Sequence, residues 1–286
     1  MRSQKTIFGI FLVCVATLAW SSAGLFTRVV TTDIPTTMFW RSLFGALFVW
    51  LFYLATNRNA PIRDHLNLNK GEIITVLVSS VASYCFIAAF FYTSIANVAF
   101  VYGTSALVTV MVAWALLSTR PDRMTILAAL VASSGAIILV EGNRDLSDLL
   151  GLGLAASMTL LMASIPVLVH RFPAADPIKV AYISGLAIAV GTLPFISSFA
   201  LSYTNFIWLA LFGFVTVGLG FGIYMAGAKL VQPATAALIL LTEVPLAPIW
   251  AALLFGELIT GQTMFGGVLI VSAAFIHTNS STLKNE

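Results

Sequence analysis

Charge is scarce in this chain. Asp, Glu, Lys and Arg make up only 9% of its 286 residues, against roughly 25% in soluble domains. Hydrophobic residues make up 59%, and the mean hydropathy is +1.00. No soluble core of this size hides so much apolar surface, so the solvent is largely lipid. Cysteine is scarcer still. Cys14 and Cys85 both fall in apolar runs, which excludes a disulfide framework or a thiolate metal pair. All six Asp and all three His fall in loops or at helix ends. There is no H-E-x-x-H zinc site and no G-x-x-x-x-G-K-[ST] phosphate loop, and Ser105 has no buried His as a base. These absences count against an intramembrane enzyme and call for no cofactor or metal. A net charge of +3 does not suggest nucleic-acid binding.

What is present is one apolar run after another. A spanning helix needs about 20 apolar residues. Candidates lie at 7–30, 35–56, 72–95, 98–118, 124–140, 149–169, 178–200, 205–228, 234–255 and 262–277, joined by short loops rich in Pro, Gly, Asn and Asp. Only Ala96-Asn97 divides the third run from the fourth; a single helix of that length would be about twice a bilayer's thickness. The first run follows Arg2 and Lys5 like a signal peptide, but it is too long for one and reads as a retained helix. Ten spans with a cytoplasmic N-terminus place Arg2, Lys5, Arg58, Arg63, Lys70, Arg120, Arg123, Arg171, Lys179, Lys229 and Lys284 on the cytoplasmic side. Arg28 and Arg144 fall outside and Arg41 within a span. This basic bias sets the orientation and favours an even helix count, with both termini in the cytoplasm.

The chain resembles itself. Gly9, Leu12, Thr17, Leu18, Ser22 and Pro35 match Gly151, Leu154, Thr159, Leu160, Ser164 and Pro177 at one offset. Ala99, Ala115, Leu116, Leu117, Val131 and Ala136 match Ala236, Ala252, Leu253, Leu254, Val268 and Ala273 at a slightly shorter one. Residues 1–142 and 143–286 are therefore expected to be two repeats. Each holds five helices, an odd number, so the repeats must be inverted relative to one another. The expected fold is an all-α integral membrane protein of ten transmembrane helices in two inverted five-helix repeats. Many secondary transporters have this architecture, with the substrate site near the midplane.

Several short motifs carry a family resemblance: Trp20-Ser21-Ser22, Phe39-Trp40-Arg41 after Pro35, Thr242-Glu243-Val244-Pro245, Gly256-Glu257-Leu258-Ile259-Thr260, and Gly266-Gly267. On these the chain resembles the EamA-like transporters of the drug/metabolite transporter superfamily along nearly its whole length. It departs from them at Thr119-Arg120-Pro121-Asp122, where a Gly-Glu is expected. The resemblance implies ten helices, two repeats and movement of small metabolites.

Ionised side chains cost at least ~2.5 kcal/mol at a helix centre in hydrocarbon, and only Arg41 and Glu243 lie well inside spans. Arg41 is about 9 Å below the outer end of its helix and Glu243 is near the midplane, so their depths allow a direct or a water-bridged pair. Glu243 reads as a substrate-amine or proton site, and Arg41 as a gate or carboxylate binder. Trp40, Trp208, Trp250 and Tyr102 fit interfacial belts. Trp20 and Tyr84 lie at mid-depth, where a belt does not account for them. Hydroxyls share helix faces at Thr17 with Ser21 and at Ser105 with Thr109. Gly218 and Gly222 fit a GxxxG close approach. Pro166, Pro194, Pro245 and Pro248 interrupt helices, and Pro245 lies two residues from Glu243, the kind of break that marks transport sites. The expected substrate-binding set is Trp20, Ser21, Tyr84, Ser105, Thr109 and Glu243, with Arg41 and Pro245 as gating or charge-pair residues. The expected function is export of a small amphipathic metabolite, an amino acid or a relative, across a bacterial inner membrane by alternating access, with protons the candidate coupling ion. The alternatives are an intramembrane enzyme or a channel-like pore.

Overall fold

A computed structural model describes residues 2–56, 67–92, 98, 101–139, 149–255 and 261–283. Among these residues the chain is helical and has no strand. The helices fall into ten successive apolar rods. α1 (Arg2–Ser21) and α2 (Ala23–Val29) form the first. α3 (Ile34–Thr56), α4 (Lys70–Tyr92), α5 (Ser105–Leu117), α6 (Arg123–Leu139), α7 (Leu149–Arg171) and α8 (Pro177–Thr192) follow singly. α9 (Tyr203–Phe212), a π-helical segment (Gly213–Phe221) and α10 (Gly222–Ala228) make the eighth. α11 (Pro233–Leu241) and α12 (Glu243–Phe255) make the ninth, and α13 (Gly261–Leu283) the tenth. Five helices are long and apolar enough to cross a membrane: Gln4–Ser21, Ile34–Leu54, Leu149–Arg171, Pro177–Phe195 and Tyr203–Ala228. The expected division at Ala96-Asn97 lies outside the described residues.

Three rods are broken by one device. Ser22, Thr104 and Thr242 each turn a side-chain hydroxyl back onto the carbonyl three residues earlier: Ala19 at 2.6 Å, Val101 at 2.7 Å and Ile239 at 2.6 Å. Such bonds compete with the helical ladder. Thr104 and Thr242 also send their amide to that same carbonyl, at 3.1 and 3.0 Å. The continuous helices expected over 7–30, 98–118 and 234–255 are each interrupted there among the described residues. The run at 178–200 is corrected as well. α8 stops at Thr192, a 3-10 turn covers Leu193–Phe195, and 196–202 is non-helical. Pro194 cannot donate into the ladder, and its ring clashes with the preceding turn.

The most extensive helix packings join the two halves of the chain: α4 with α7, α6 with α13 and α3 with α8. Numbered as rods, these are 3·6, 5·10 and 2·7; rod 1 packs on rod 8, and rod 4 on rod 9. Exchanging the halves maps this pattern onto itself. Glycines permit the closest approaches. A Cβ on Gly227 would sit 2.9 Å from Leu12 Cβ and 3.0 Å from Gly9 O, and one on Gly213 would overlap the Arg41 carbonyl and sit 2.7 Å from the Gly45 amide nitrogen. The Gly218/Gly222 pair is not the close contact expected, because a Cβ at either would meet no atom of a neighbouring element or side chain closer than 3.6 Å. The contact stripe is Gly213, Gly220 and Gly227, spaced by seven.

The loops group at two ends. At one, Asn69 and Glu72 cap α4 reciprocally, Glu72 N to Asn69 Oδ1 at 2.9 Å and Asn69 N to Glu72 Oε2 at 2.7 Å. Glu72 also accepts from Asp176 N at 3.0 Å and lies 3.8 Å from Lys179 Nζ, while Lys229 Nζ donates to Ala175 O at 2.5 Å. At the other end, Asn205 bonds Thr31, and Ser197 and Thr36 donate to the Asp33 carboxylate. The loops near 70, 175 and 230 thus share one end, and those near 32 and 197 the other.

Candidate functional site

The helix breaks converge. A cavity of about 110 Å³ lies between rods of both halves. Trp20 and Ala23 reach it from either side of the Ser22 break. Tyr102 precedes the break at Gly103-Thr104, Glu243 follows the one at Thr242, and Thr216 and Phe221 come from the π-helical segment. Arg41 on α3, Ser79, Ser83 and Phe86 on α4, Met158, Met162 and Ile165 on α7, Tyr224 and Leu240 complete the wall. This volume takes several waters or a small solute, not a drug-sized ligand. Ser105 and Thr109 line a side pocket of about 10 Å³ that shares Tyr102, Met162 and Leu240 with the cavity.

The cavity's charges are arranged unusually. Arg41 is 7% exposed. Its Cζ lies 4.9 Å from the centre of the Phe212 ring, a cation–π distance, and its Nε has no hydrogen-bond partner. Among the described residues no ion pair joins it to Glu243, so of the two arrangements their depths allow, the direct pair is not formed. Both groups reach the same cavity without neutralising each other. Glu243 instead faces the Tyr102 hydroxyl, and the buried Tyr224 hydroxyl is unpartnered. Trp20 supports the wall: its Nε1 donates to Thr216 O at 2.7 Å, a carbonyl of the π-helical segment, and its ring packs on Tyr224 with centroids 5.1 Å apart. A cavity with one unpaired cation, one carboxyl and an aromatic wall suits a small ligand carrying both charges.

Of the expected site residues, the structure brings Trp20, Arg41 and Glu243 to the cavity and Ser105 and Thr109 to its side pocket. It does not bring Tyr84. That side chain is 55% exposed on the outer face of α4, while Ser83, one position earlier and about 100° round the helix, faces the cavity. Ser21 is 6% exposed and serves packing: it donates to Leu18 O at 2.8 Å and accepts from Trp250 Nε1 at 2.8 Å. Trp250 is therefore a helix-to-helix bridge rather than only a belt residue. Pro245 is buried against α13, where a Cβ on Gly267 would come within 2.9 Å of it. Tyr102, read from its depth as a belt residue, is a cavity residue. Tyr224, Met158 and Met162 gave no sequence signal beyond apolar periodicity.

The EamA-like transporter family model matches the chain twice, over residues 7–141 and 149–278. The chain belongs to the EamA-like transporter family. It is a multi-pass membrane protein of a transporter family, with a small-molecule substrate and a lipid environment. A solved crystal structure superimposes on it with a TM-score of 0.83 at 17% identity, covering 100% of both chains; that likeness shows the fold. No curated protein matches.

Proposed function

We propose that this protein is a secondary transporter that exports a small zwitterionic, amphipathic metabolite, an amino acid or a relative, across a bacterial inner membrane. The observation that carries the reading is the cavity shared by an unpaired Arg41 and Glu243. Burying an ionised group without a partner is costly. A ligand bringing a carboxylate to Arg41 and an ammonium to Glu243 offsets both costs at once, and Trp20 and Tyr224 supply the apolar wall for its side chain. Alternating access follows from two inverted five-helix repeats, 1–142 and 143–286, in ten crossings with both termini cytoplasmic. The exchange-symmetric helix packing and the double family match support the repeats. The breaks at Ser22, Thr104 and Thr242 supply hinges at the cavity itself. Glu243, relieved of a fixed cationic partner, is also the group through which protons would couple.

The test is binding followed by exchange. Purified protein is melted with amino acids, with the matching amines and with the matching carboxylic acids; a ligand of the folded state raises the melting temperature by mass action. The zwitterion should stabilise and both half-molecules should fail. In proteoliposomes, Glu243→Gln and Arg41→Gln should each lower transport at least tenfold, and substrate on the far side should accelerate exchange. Stabilisation by the amine or the acid alone would overturn the zwitterion reading, and flux without exchange acceleration would indicate a pore.

A further inference from the structure

Met162 stands between two spaces. It lines the main cavity together with Trp20 and Glu243, and it lines the side pocket together with Ser105, Thr109, Ala163, Pro166 and Ala237. Tyr102 and Leu240 are the other shared wall residues. Tyr102 faces Glu243, and Leu240 belongs to the core cluster with Val13 and Ile239. Met162 is only partly buried at the edge of that cluster. An unbranched thioether adapts its shape more readily than any other apolar side chain. Its backbone is pliable too: Pro166, four residues on, has no N–H to give the Met162 carbonyl, so that turn of α7 lacks a ladder bond.

We propose that Met162 is the specificity-determining partition of the transporter, a movable wall whose position sets how long a substrate side chain the cavity admits. The proposal rests on the zwitterion reading above. With the charged ends of the ligand held between Arg41 and Glu243, the ligand's third substituent points along the apolar wall, and the side pocket is the space into which it grows once Met162 yields. The side pocket takes about one water-sized group, so a short side chain is accommodated as the protein stands. A longer one requires Met162 to move. Shortening Met162 joins the two spaces; Phe at the same position seals them apart.

Two experiments separate this from the reading beneath it. In the first, wild type, Met162→Ala, Met162→Leu and Met162→Phe are titrated with glycine, alanine, norvaline, norleucine and phenylalanine. Each further methylene that finds apolar space gains about fourfold in affinity. Met162→Ala should therefore move the preferred ligand up the series by one or two members, at least tenfold in relative affinity, and Met162→Phe should move it down. Met162→Leu keeps the volume and guards against a folding artefact. An unchanged rank order in Met162→Ala overturns the partition. In the second, which needs no substrate, Cys14 and Cys85 are replaced by Ala and a single cysteine is placed at Ala237, in the side pocket. Methyl methanethiosulfonate should modify it at least tenfold faster when Met162 is Ala than when it is Met. Equal rates overturn the partition. If no amino acid binds any variant yet this rate difference is found, the partition stands and the zwitterion reading falls.

Discussion

Gly220 and Trp20 offer the sharpest test of how the cavity is held. A Cβ added at Gly220 would lie 2.7 Å from Trp20 Nε1 and 2.8 Å from Trp20 Cδ1, closer than real Cβ contacts allow. The indole has to move, and in moving it loses its 2.7 Å bond to Thr216 O. Orphaning a buried donor and acceptor costs ~1–3 kcal/mol, and the overpacking adds ~1–3 kcal/mol. The better helix propensity of Ala returns about 1 kcal/mol. Gly220→Ala should therefore destabilise by roughly 2–3 kcal/mol. The assay is a double-mutant cycle with Trp20→Ala, followed by reversible unfolding in detergent. With the indole gone, Gly220→Ala should be neutral or slightly stabilising, so the coupling should reach ~2 kcal/mol or more. Independent sites add within about 0.5 kcal/mol. An equal cost in both backgrounds would refute the claim that this glycine exists to admit Trp20. Transport should fall in Gly220→Ala, because the displaced ring enters the cavity.

Glu72 ties the two halves of the chain together through Asp176 N and Lys179, so Glu72→Ala should cost about 2–4 kcal/mol by leaving buried donors unpaired. A lower melting temperature than Lys179→Ala would confirm that the backbone donors matter more than the ion pair. At the opposite end, burial pushes the Asp33 carboxyl up, but the hydrogen bonds from Ser197 and Thr36 outweigh it and hold it below its ordinary 3.8. A depressed folded-state value means stability that is complete above the unfolded value and lost as pH falls through the folded one. Melting temperature should drop below about pH 4 in wild type, and Asp33→Asn should flatten that part of the profile. Single cysteines at Asn59 and Ser281 should be labelled from the cytoplasmic face and one at Asn143 from the outside; labelling of 59 and 143 from the same side would sink the ten-crossing topology.

The parts of the fold that depend on periodicity and composition were legible in the sequence. The apolar runs recur as helix among the described residues, although 178–200 ends early and 7–30, 98–118 and 234–255 are interrupted. The basic residues assign the loops near 70, 175 and 230 to one side, and hydrogen bonds bring those loops to one end. The errors came where one residue's local chemistry overrides apolar periodicity. The sequence marks Ser22 and Thr242 only as parts of motifs and Thr104 not at all, yet each sits at a helix break with its hydroxyl bonded to the carbonyl three residues back. Pro194 ends its helix eight residues sooner than the apolar run does. Tyr84 turns to the outer face instead of the cavity, because an all-round apolar helix carries no moment from which to tell its faces apart.

The sequence by itself determined that this is a multi-pass membrane chain, that its halves are related, and which two charges fall within its apolar runs. Those are properties of composition, spacing and order, and they need no knowledge of neighbours. Only the tertiary structure decided that Arg41 and Glu243 share a cavity without pairing, that Tyr102 belongs to it while Tyr84 and Ser21 do not, and that Met162 lines both it and a side pocket. Those depend on helix rotation and on contacts between residues as far apart as 20 and 216. In a chain apolar on almost every face, only the packing of one helix against another fixes which side chains turn inward.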